Sequence, residues 1–183
     1  KKAIVGIIDT GTSNIKSVRY ALEKVNAKVV EIKEFNNIQI DAMVVPGVGS
    51  FKNVMERLKK NKLDKLIFQN ISKKLPSLFI CLGMQVFFSK SFEFGETKGL
   101  DIFKGTVNKF PKEEDNKNIK IPYIGWNKIR IQKSCPVFKS IQNNSFCYFT
   151  HSYYVKPDDK KIVSSLSDNY NFEYVSSVSM NNI

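Results

Sequence analysis

The residue with the most specific chemistry in this chain is Cys81, which lies in the octapeptide LFICLGMQ (residues 78–85). An apolar run ends abruptly at the cysteine, and Gly83 follows before a helix-compatible stretch. This pattern predicts a nucleophile mounted on a sharp strand-to-helix turn. The N–H groups and dipole of such a helix would favour thiolate over thiol and hold a developing oxyanion. A free cysteine is ordinarily a buried structural residue, but the residues around Cys81 favour the catalytic interpretation.

A second segment that can bind a reacting oxygen is PGVG (residues 46–49), at the end of a predicted strand. Glycines on both sides of Val48 let the backbone turn its N–H groups toward a ligand. Such a segment by itself is also typical of an ordinary turn, whereas beside the Cys81 turn it predicts an oxyanion-binding strand. Gln85 lies one helical turn beyond Cys81 and is expected on the same side. Glu93 could receive a substrate ammonium group, although a solvated carboxylate is its ordinary interpretation.

The elements that must position these residues alternate between strand and helix in the first half of the chain. Buried apolar runs predict strands, and apolar residues three or four apart predict helices. The predicted strands are Ala3–Asp9, Lys28–Ile32, Asp41–Val45 and Ser77–Cys81. The predicted helices are one capped by Thr12 or Ser13 with apolar Ile15, Val18, Leu22 and Val25, then Ser50–Lys60 and Lys62–Lys73, and one that begins with Met84–Ser89. This alternation predicts a parallel sheet covered on both faces, with ligands at the carboxyl ends of its strands, where PGVG and Cys81 both fall.

The second half of the chain has a different pattern, with strands and little helix between them. The predicted strands are Gly105–Phe110, Trp126–Gln132, Phe146–Val155, Lys161–Leu166 and Phe172–Ser179, and Pro111–Lys120 is predicted to be a charged surface loop. No stretch reads as a linker, so we predict a single domain over residues 1–183. The predicted fold class is therefore α/β, with a central, mostly parallel sheet and added antiparallel strands in the carboxyl-terminal half.

The composition and net charge of the chain argue against several classes of protein. The chain has no run of roughly 20 apolar residues, so no membrane span is expected, and its apolar start reads as a first strand rather than a signal peptide. Three cysteines without metal-type spacing predict a reducing cytoplasm, no disulfide framework and no metal site. The net charge of +12 comes from scattered lysines with few arginines, which argues against nucleic-acid binding and leaves an acidic protein partner open.

Six segments resemble class I glutamine amidotransferases and, more narrowly, the glutaminase subunits of imidazole glycerol phosphate synthase. They occur in the order found in that family, at residues 8–18, 46–51, 80–85, 99–105, 122–127 and 148–154. The CLGMQ piece is common to many amidotransferases, whereas GWN (residues 125–127) and HSYY (residues 151–154) are much more specific to this subunit. The resemblance covers nearly the whole chain and implies a three-layer, flavodoxin-like class I amidotransferase fold.

The resemblance also implies a mechanism without a cofactor. The Cys81 thiolate attacks the side-chain amide carbon of glutamine, ammonia leaves, and water hydrolyses the glutamyl thioester to glutamate. The residues implied in the other roles are Val48 or Gly49 with Leu82 as backbone oxyanion donors, Gly47, Gln85, Glu93, Ser152 and Tyr153 around the substrate, and Asn14, Tyr123 and Trp126 at the partner or gate. The ammonia would pass to a (β/α)₈-barrel cyclase in a heterodimer, which makes imidazole glycerol phosphate and an aminoimidazole carboxamide ribotide in histidine biosynthesis. A peptide at Val48 that can flip implies that the cyclase activates the subunit.

The chain departs from this family at several positions. The family's catalytic histidine and glutamate lie in a His-Pro-Glu segment near the carboxyl terminus, which residues 1–183 do not contain. The only histidine, His151, lies in the HSYY motif and is interpreted as a structural hydrogen-bonding residue. We therefore expect these 183 residues to be inactive as a glutaminase. Phe79 replaces a glycine two residues before the cysteine and is expected to crowd the turn, and Tyr123 replaces a histidine before the Ile-Gly-Trp motif.

Three alternatives follow from these departures. A related glutaminase could supply ammonia for amidination of bacterial surface sugars. A catalytically inactive regulatory or scaffold subunit would keep only the partner surface. A flavodoxin-like cofactor-binding module would explain the early strands but not the turn at Cys81.

Overall fold

The computed structural model describes residues 2–114 and 117–183 and divides into two compact units. The first unit runs to Phe87 and includes Asn181–Ile183, and the second is Phe88–Met180. Among the described residues, no helix has the length and apolar character needed to cross a lipid bilayer. The single domain expected over residues 1–183 stays a prediction.

The first unit is built on a four-stranded parallel sheet. Its strands are β1 (Ile4–Ile8), β2 (Lys28–Ile32), β3 (Ala42–Gly47) and β4 (Ser77–Cys81), in the order β2–β1–β3–β4. The central strands β1 and β3 are almost entirely buried, because a parallel sheet covered on both faces needs continuous apolar runs. All four strands predicted from the sequence are confirmed. Both β3 and β4 end at predicted site residues.

Four helices accompany this sheet, α1 (Ile15–Lys24), α2 (Phe51–Lys60), α3 (Leu63–Ser72) and α4 (Leu82–Gln85). The predicted capping of α1 by Thr12 or Ser13 is wrong, since the Asn14 side chain accepts the Ser17 N–H at 3.3 Å. Asn14 can cap because its short side chain reaches the first turn, while the hydroxyls of Thr12 and Ser13 donate to the Val48 and Pro46 carbonyls instead. The Ser50 hydroxyl caps α2 in the same way.

The helix predicted to begin with Met84–Ser89 is also wrong, because α4 is a single turn and β5 (Phe88–Ser91) follows it. Val86, Phe87 and Phe88 are consecutive and fully buried. A continuing helix would rotate about 100° at each residue and turn part of this run away from the core. Burial of the whole run therefore ends the helix after one turn.

The second unit consists almost entirely of strands. After β5 they are β6 (Thr97–Lys98), β7 (Phe103–Lys109), β8 (Glu113–Glu114), β9 (Lys117–Asn118), β10 (Tyr123–Lys128), β11 (Arg130–Ile131), β12 (Phe146–His151), β13 (Tyr153–Pro157), β14 (Val163–Asn169) and β15 (Phe172–Val178), with 3₁₀ turns at Pro136–Phe138 and Lys160–Ile162. A seven-stranded sheet has the order β11–β14–β15–β13–β7–β5–β6, in which only β5 and β7 pair in parallel. The α/β class with added antiparallel strands is confirmed.

Two predicted strands of this unit are each divided in two. The run Trp126–Gln132 separates into β10 and β11 at Ile129, and the run Phe146–Val155 separates into β12 and β13 at Ser152. β10 and β12 form a two-stranded antiparallel ribbon of their own, whereas β11 and β13 join the larger sheet. The expected loop Pro111–Lys120 contains the β8–β9 hairpin, and residues 115–116 lie outside the described part of the chain.

Gly83 in α4 provides a test of how closely the turn after β4 packs on β3. A Cβ atom added at Gly83 would lie 1.9 Å from the Val45 carbonyl oxygen, which is a backbone atom with no freedom to move aside. We predict that Gly83→Ala lowers the free energy of unfolding by about 1–3 kcal/mol. In the matched control Gly6→Ala, the three atoms nearest to the added atom are side-chain methyl groups of Ile32 and Ile40, which can shift, so the loss should be smaller. Urea denaturation measures both, and an equal or larger loss in the control would contradict this packing.

Candidate active site

Cys81 lies on the sharp turn that the sequence predicts. It is the last residue of β4, has φ +57° and ψ −116°, and is followed at once by α4. A residue other than glycine rarely adopts such a backbone conformation, which costs roughly 1–3 kcal/mol and persists only where the surrounding structure enforces it. The predicted strand–turn–helix arrangement is confirmed. Cys81 is exposed, whereas Cys135 is buried.

The PGVG segment lies directly beside this turn, because β3 and β4 pair with Gly47 opposite Cys81. A Cβ atom on Gly47 would lie 2.6 Å from the Gly83 nitrogen. The two backbones therefore touch only because both residues lack a side chain. This contact brings the predicted oxyanion strand and the predicted nucleophile together.

Phe79 crowds the turn as expected from the sequence, because its ring centroid lies 3.5 Å from that of Phe87 at an interplanar angle of 49°, closer than the roughly 4.5–7 Å usual for aromatic pairs. Its ring packs against Phe87, the buried aromatic residue that follows α4. The turn at Cys81 still forms without a glycine at this position, with the larger side chain pressed against the apolar run after the helix.

Hydroxyl groups of the loop between β1 and α1 hold the PGVG segment from its other side. The Ser13 hydroxyl donates to the Pro46 carbonyl at 2.9 Å, and the Thr12 hydroxyl donates to the Val48 carbonyl at 2.6 Å. The C=O and N–H of a trans peptide point in opposite directions, so the bond from Thr12 turns the Gly49 N–H away from the loop. Sequence reasoning assigned these hydroxyls to a helix cap and missed this role. The available signal in the sequence was the three hydroxyl residues among positions 10–13, shortly after β1.

The electrostatics of Cys81 differ from the expectation. Desolvation by the surrounding protein atoms raises the pKa of the Cys81 thiol, and the Leu82 N–H hydrogen bond only partly opposes this. The predicted preference for thiolate is therefore wrong for this state of the protein. One turn of helix leaves little aligned dipole to stabilise the negative sulfur. A neutral thiol at physiological pH needs a base to become a nucleophile.

The predicted substrate residues divide between the two units. Gln85 is buried in α4, one turn after Cys81, in the first unit. In the second unit, desolvation and then the negative charge of Glu93 raise the pKa of the Tyr153 phenol, so these two side chains lie near each other. Ser152 separates β12 from β13 directly before Tyr153.

Within the described residues, no cluster of three or more histidine, cysteine, aspartate or glutamate side chains could hold a metal ion.

His151 lies in an aromatic cluster of the second unit. Its Nδ1 is 2.9 Å from the Tyr153 carbonyl oxygen, and its ring centroid is 5.0 Å from that of Phe110 and 5.1 Å from that of Tyr174. Burial lowers the pKa of His151, and the hydrogen bond to the Tyr153 carbonyl opposes this only in part. The interpretation of His151 as a structural hydrogen-bonding residue agrees with these contacts.

The β10–β12 ribbon exposes one apolar face that sequence reasoning recognised only at Trp126. Its exposed side chains include Ile124, Trp126, Lys128, Phe146 and Tyr148, and we call these five the ribbon face. The Trp126 and Tyr148 rings pack edge to face at 5.5 Å, and the Lys128 ammonium lies 5.6 Å from the centre of the Phe146 ring. Tyr123, on the opposite face of the ribbon, is half-buried. The available signal was the alternation of side chains between two faces in YIGWNK (β10) and FCYFTH (β12). That alternation does not show which face of the ribbon is covered by the rest of the protein.

Comparisons with known proteins agree on one family. Residues 6–180 match the family described as glutamine amidotransferase class-I. The chain is 38% identical over 180 residues to the imidazole glycerol phosphate synthase subunit HisH of Methanocaldococcus jannaschii, covering 98% of this chain and 87% of that protein. It is 44% identical over 160 residues to the subunit of the same name from Caldanaerobacter subterraneus, covering 86% and 75%.

Solved structures support the fold alone, because their sequences are distant. A glutamine amidotransferase crystal structure is similar with a TM-score of 0.67 at 11% identity, over 94% of this chain and 88% of that one. PurLQS from Thermotoga maritima is similar with a TM-score of 0.67 at 13% identity, over 98% and 77%.

The raised pKa of Cys81 predicts how its reactivity depends on pH. The rate of alkylation by iodoacetamide should rise about tenfold per unit between roughly pH 7 and 9, because only the thiolate reacts and its fraction grows tenfold per unit below the pKa. Peptide mass spectrometry at each pH distinguishes Cys81 from buried Cys135, which should react far more slowly. A rate that is flat across this range would mean that the thiolate is already formed at neutral pH.

Proposed function

Because the chain belongs to the glutamine amidotransferase class-I family, we propose that it is the glutaminase subunit of an imidazole glycerol phosphate synthase. It hydrolyses glutamine to glutamate and ammonia. A cyclase partner uses the ammonia to make imidazole glycerol phosphate and an aminoimidazole carboxamide ribotide in histidine biosynthesis. The observation that carries the proposal is the positive-φ turn at Cys81, held against the PGVG segment by two glycines that could bear no side chain.

The chemistry follows from this geometry. A general base takes the thiol proton as the Cys81 sulfur attacks the amide carbon of the glutamine side chain, and the carbonyl oxygen becomes an oxyanion. The Leu82 N–H already hydrogen-bonds the sulfur, so it lies close enough to serve the oxyanion beside it, and Val48 or Gly49 supplies the second N–H. Ammonia leaves with a proton from a general acid, and water then hydrolyses the thioester to glutamate and regenerates the thiol.

The substrate residues proposed from the family pattern are Gly47 and Gln85 in the first unit and Glu93, Ser152 and Tyr153 in the second. Glu93 is suited to the α-ammonium group of glutamine, since it is the carboxylate whose charge Tyr153 experiences. The buried amide of Gln85 is suited to hydrogen bonding, because an amide carries both donors and an acceptor. No metal or cofactor takes part in the proposed reaction.

The general base is not His151 in this proposal. Its Nδ1 is occupied by the Tyr153 carbonyl, and its ring is enclosed by Phe110, Phe149 and Tyr174. Proton transfer requires the base to reach the sulfur or the leaving nitrogen within hydrogen-bonding distance. Since residues 1–183 contain a single histidine, we propose that this stretch alone does not turn glutamine over.

The partner is a (β/α)₈-barrel cyclase that forms a cytoplasmic heterodimer with this chain and receives ammonia through a channel. We propose that it binds the ribbon face, with Tyr123 and Asn14 near the gate. Exposed aromatic side chains clustered on one face are typical of interface hot spots, and Trp126 is 67% exposed and Tyr148 56% exposed. The HisH relatives are named as subunits of imidazole glycerol phosphate synthase, so we propose this function rather than surface-sugar amidination or an inactive scaffold.

The catalytic proposal predicts the outcome of a comparison between two chains. Ammonia release from glutamine, measured with the cyclase present, should be about 10² to 10⁴ slower for residues 1–183 than for a chain that also carries the family's His-Pro-Glu segment. Cys81→Ala should abolish release in the longer chain, and His151→Asn should not. If the short chain is as fast and His151→Ala stops it, His151 is the base and the proposed assignment of the carboxyl end is wrong.

The partner proposal predicts a localised loss of affinity. Trp126→Ala and Tyr148→Ala should each weaken cyclase binding by about 2 kcal/mol, roughly 30-fold in Kd, because each truncation removes a large apolar contact. Tyr20→Ala is the matched control, since Tyr20 is similarly exposed but lies on α1. Calorimetric titration with the cyclase gives the three dissociation constants. An equal loss in the control, or no loss in either ribbon variant, would contradict binding at the ribbon face.

A further inference from the structure

We propose that His151 is a positioning residue for glutamine binding, whose Nδ1–H fixes the Ser152–Tyr153 turn where β12 passes into β13. This inference rests on the proposed function, because Ser152 and Tyr153 are the residues assigned to the substrate there. It gives the HSYY motif a physical role: the first residue of the motif holds the next two in place.

The backbone changes partner at this turn. β12 ends at His151 and pairs with β10, whereas β13 begins at Tyr153 and pairs with β7. Ser152 therefore lies between two separate pairings. Two hydrogen bonds hold it, from the Phe110 N–H to the Ser152 carbonyl at 3.1 Å and between His151 Nδ1 and the Tyr153 carbonyl oxygen at 2.9 Å. The second is made by a side chain and is the one that a substitution can remove.

The hydrogen bond defines the tautomer of the ring. A carbonyl oxygen only accepts, so Nδ1 must carry the proton. Nε2 is then the unprotonated nitrogen, and it is buried with no hydrogen-bond partner among the described residues. The rings of Phe110, Phe149 and Tyr174 surround the imidazole with centroid distances of 5.0, 5.7 and 5.1 Å. This enclosure restricts rotation of the ring away from the Tyr153 carbonyl.

The turn determines where the Tyr153 phenol lies. Tyr153 is close enough to Glu93 for the carboxylate charge to raise the phenol pKa after desolvation. Phe110, whose N–H holds Ser152, also packs on His151 and on Tyr154. One aromatic cluster thus fixes both the ring that donates and the strand that receives the hydrogen bond. Loosening this bond should release Tyr153 from its place beside Glu93 and weaken glutamine binding.

Two substitutions of His151 distinguish the effect of losing the hydrogen bond from the effect of losing the packing of the ring. Asparagine places an amide N–H near the position of Nδ1, so His151→Asn can keep the bond to Tyr153. Glutamine places its amide near the position of Nε2, so His151→Gln loses the bond. Both variants lose the imidazole ring from the aromatic cluster, so both should lower the melting temperature by similar amounts.

The experiment uses the complex with the cyclase and a Cys81→Ser background that prevents turnover. Saturation-transfer NMR titrations with glutamine give the Kd of the parent and of both His151 variants. The expected result is a Kd within about twofold of the parent for His151→Asn and about three- to tenfold weaker for His151→Gln, since one hydrogen bond contributes roughly 0.5–1.5 kcal/mol. ¹⁵N NMR of the imidazole should show a protonated Nδ1 at neutral pH.

The inference is overturned if both variants weaken glutamine binding alike, if neither does, or if Nε2 carries the proton. A different result would refute the proposed function instead: a parent that does not bind glutamine while ¹⁵N NMR still shows the Nδ1–H tautomer. In that case the hydrogen bond is real but positions no substrate, and the inference fails together with the function on which it rests.

Discussion

The candidate site depends on one close contact between backbones. Gly83 lies so near the Val45 carbonyl, and Gly47 so near Gly83, that neither position has room for a side chain. This contact lets β4 pass directly into α4 and holds Cys81 at φ +57°. The strain of that conformation, about 1–3 kcal/mol, is offset by the packing of the surrounding sheet. The position of Cys81 at the end of β4 and the nearness of the PGVG segment both follow from it.

The positions of the atoms around Cys81 and the protonation of its sulfur have different physical origins. The fold fixes the sulfur, the Leu82 N–H and the PGVG backbone, but desolvation leaves the sulfur protonated. A thiol held in this way reacts only when a base removes its proton. The hydroxyl of Thr12 adds a second restraint, because it holds the Val48 carbonyl and with it the orientation of the following peptide.

The sequence predicted those parts of the structure that local patterns determine. The four parallel strands, the turn at Cys81 and the placement of PGVG and Cys81 at carboxyl ends of strands follow from apolar runs that end at glycine or cysteine. The length of α4 was mispredicted, because only burial of Val86, Phe87 and Phe88 in the folded protein ends the helix. The pKa of Cys81 was mispredicted for a related reason, since desolvation depends on neighbours that the sequence does not reveal.

Two further features could not be predicted from the sequence: the division of residues 146–155 into two strands, and the exposure of the ribbon face. Residues 146–155 are extended throughout, and nothing in their composition marks the change of partner at Ser152. Alternation predicts two faces for β10 and β12 but does not say that the face with Trp126 and Tyr148 is the exposed one. Both features depend on pairings between residues distant in sequence, which a single chain without its fold does not disclose.

The central claim is that Cys81 is the residue that forms a covalent bond to the substrate carbon. The most direct measurement is mass spectrometry of the protein, mixed with its proposed cyclase partner, after reaction with diazo-oxo-norleucine, a glutamine-like electrophile. The account predicts one adduct, on the peptide that contains Cys81, and protection of that peptide by excess glutamine. An adduct formed first on Cys135 or Cys147, or labelling of Cys81 that glutamine does not slow, would contradict it.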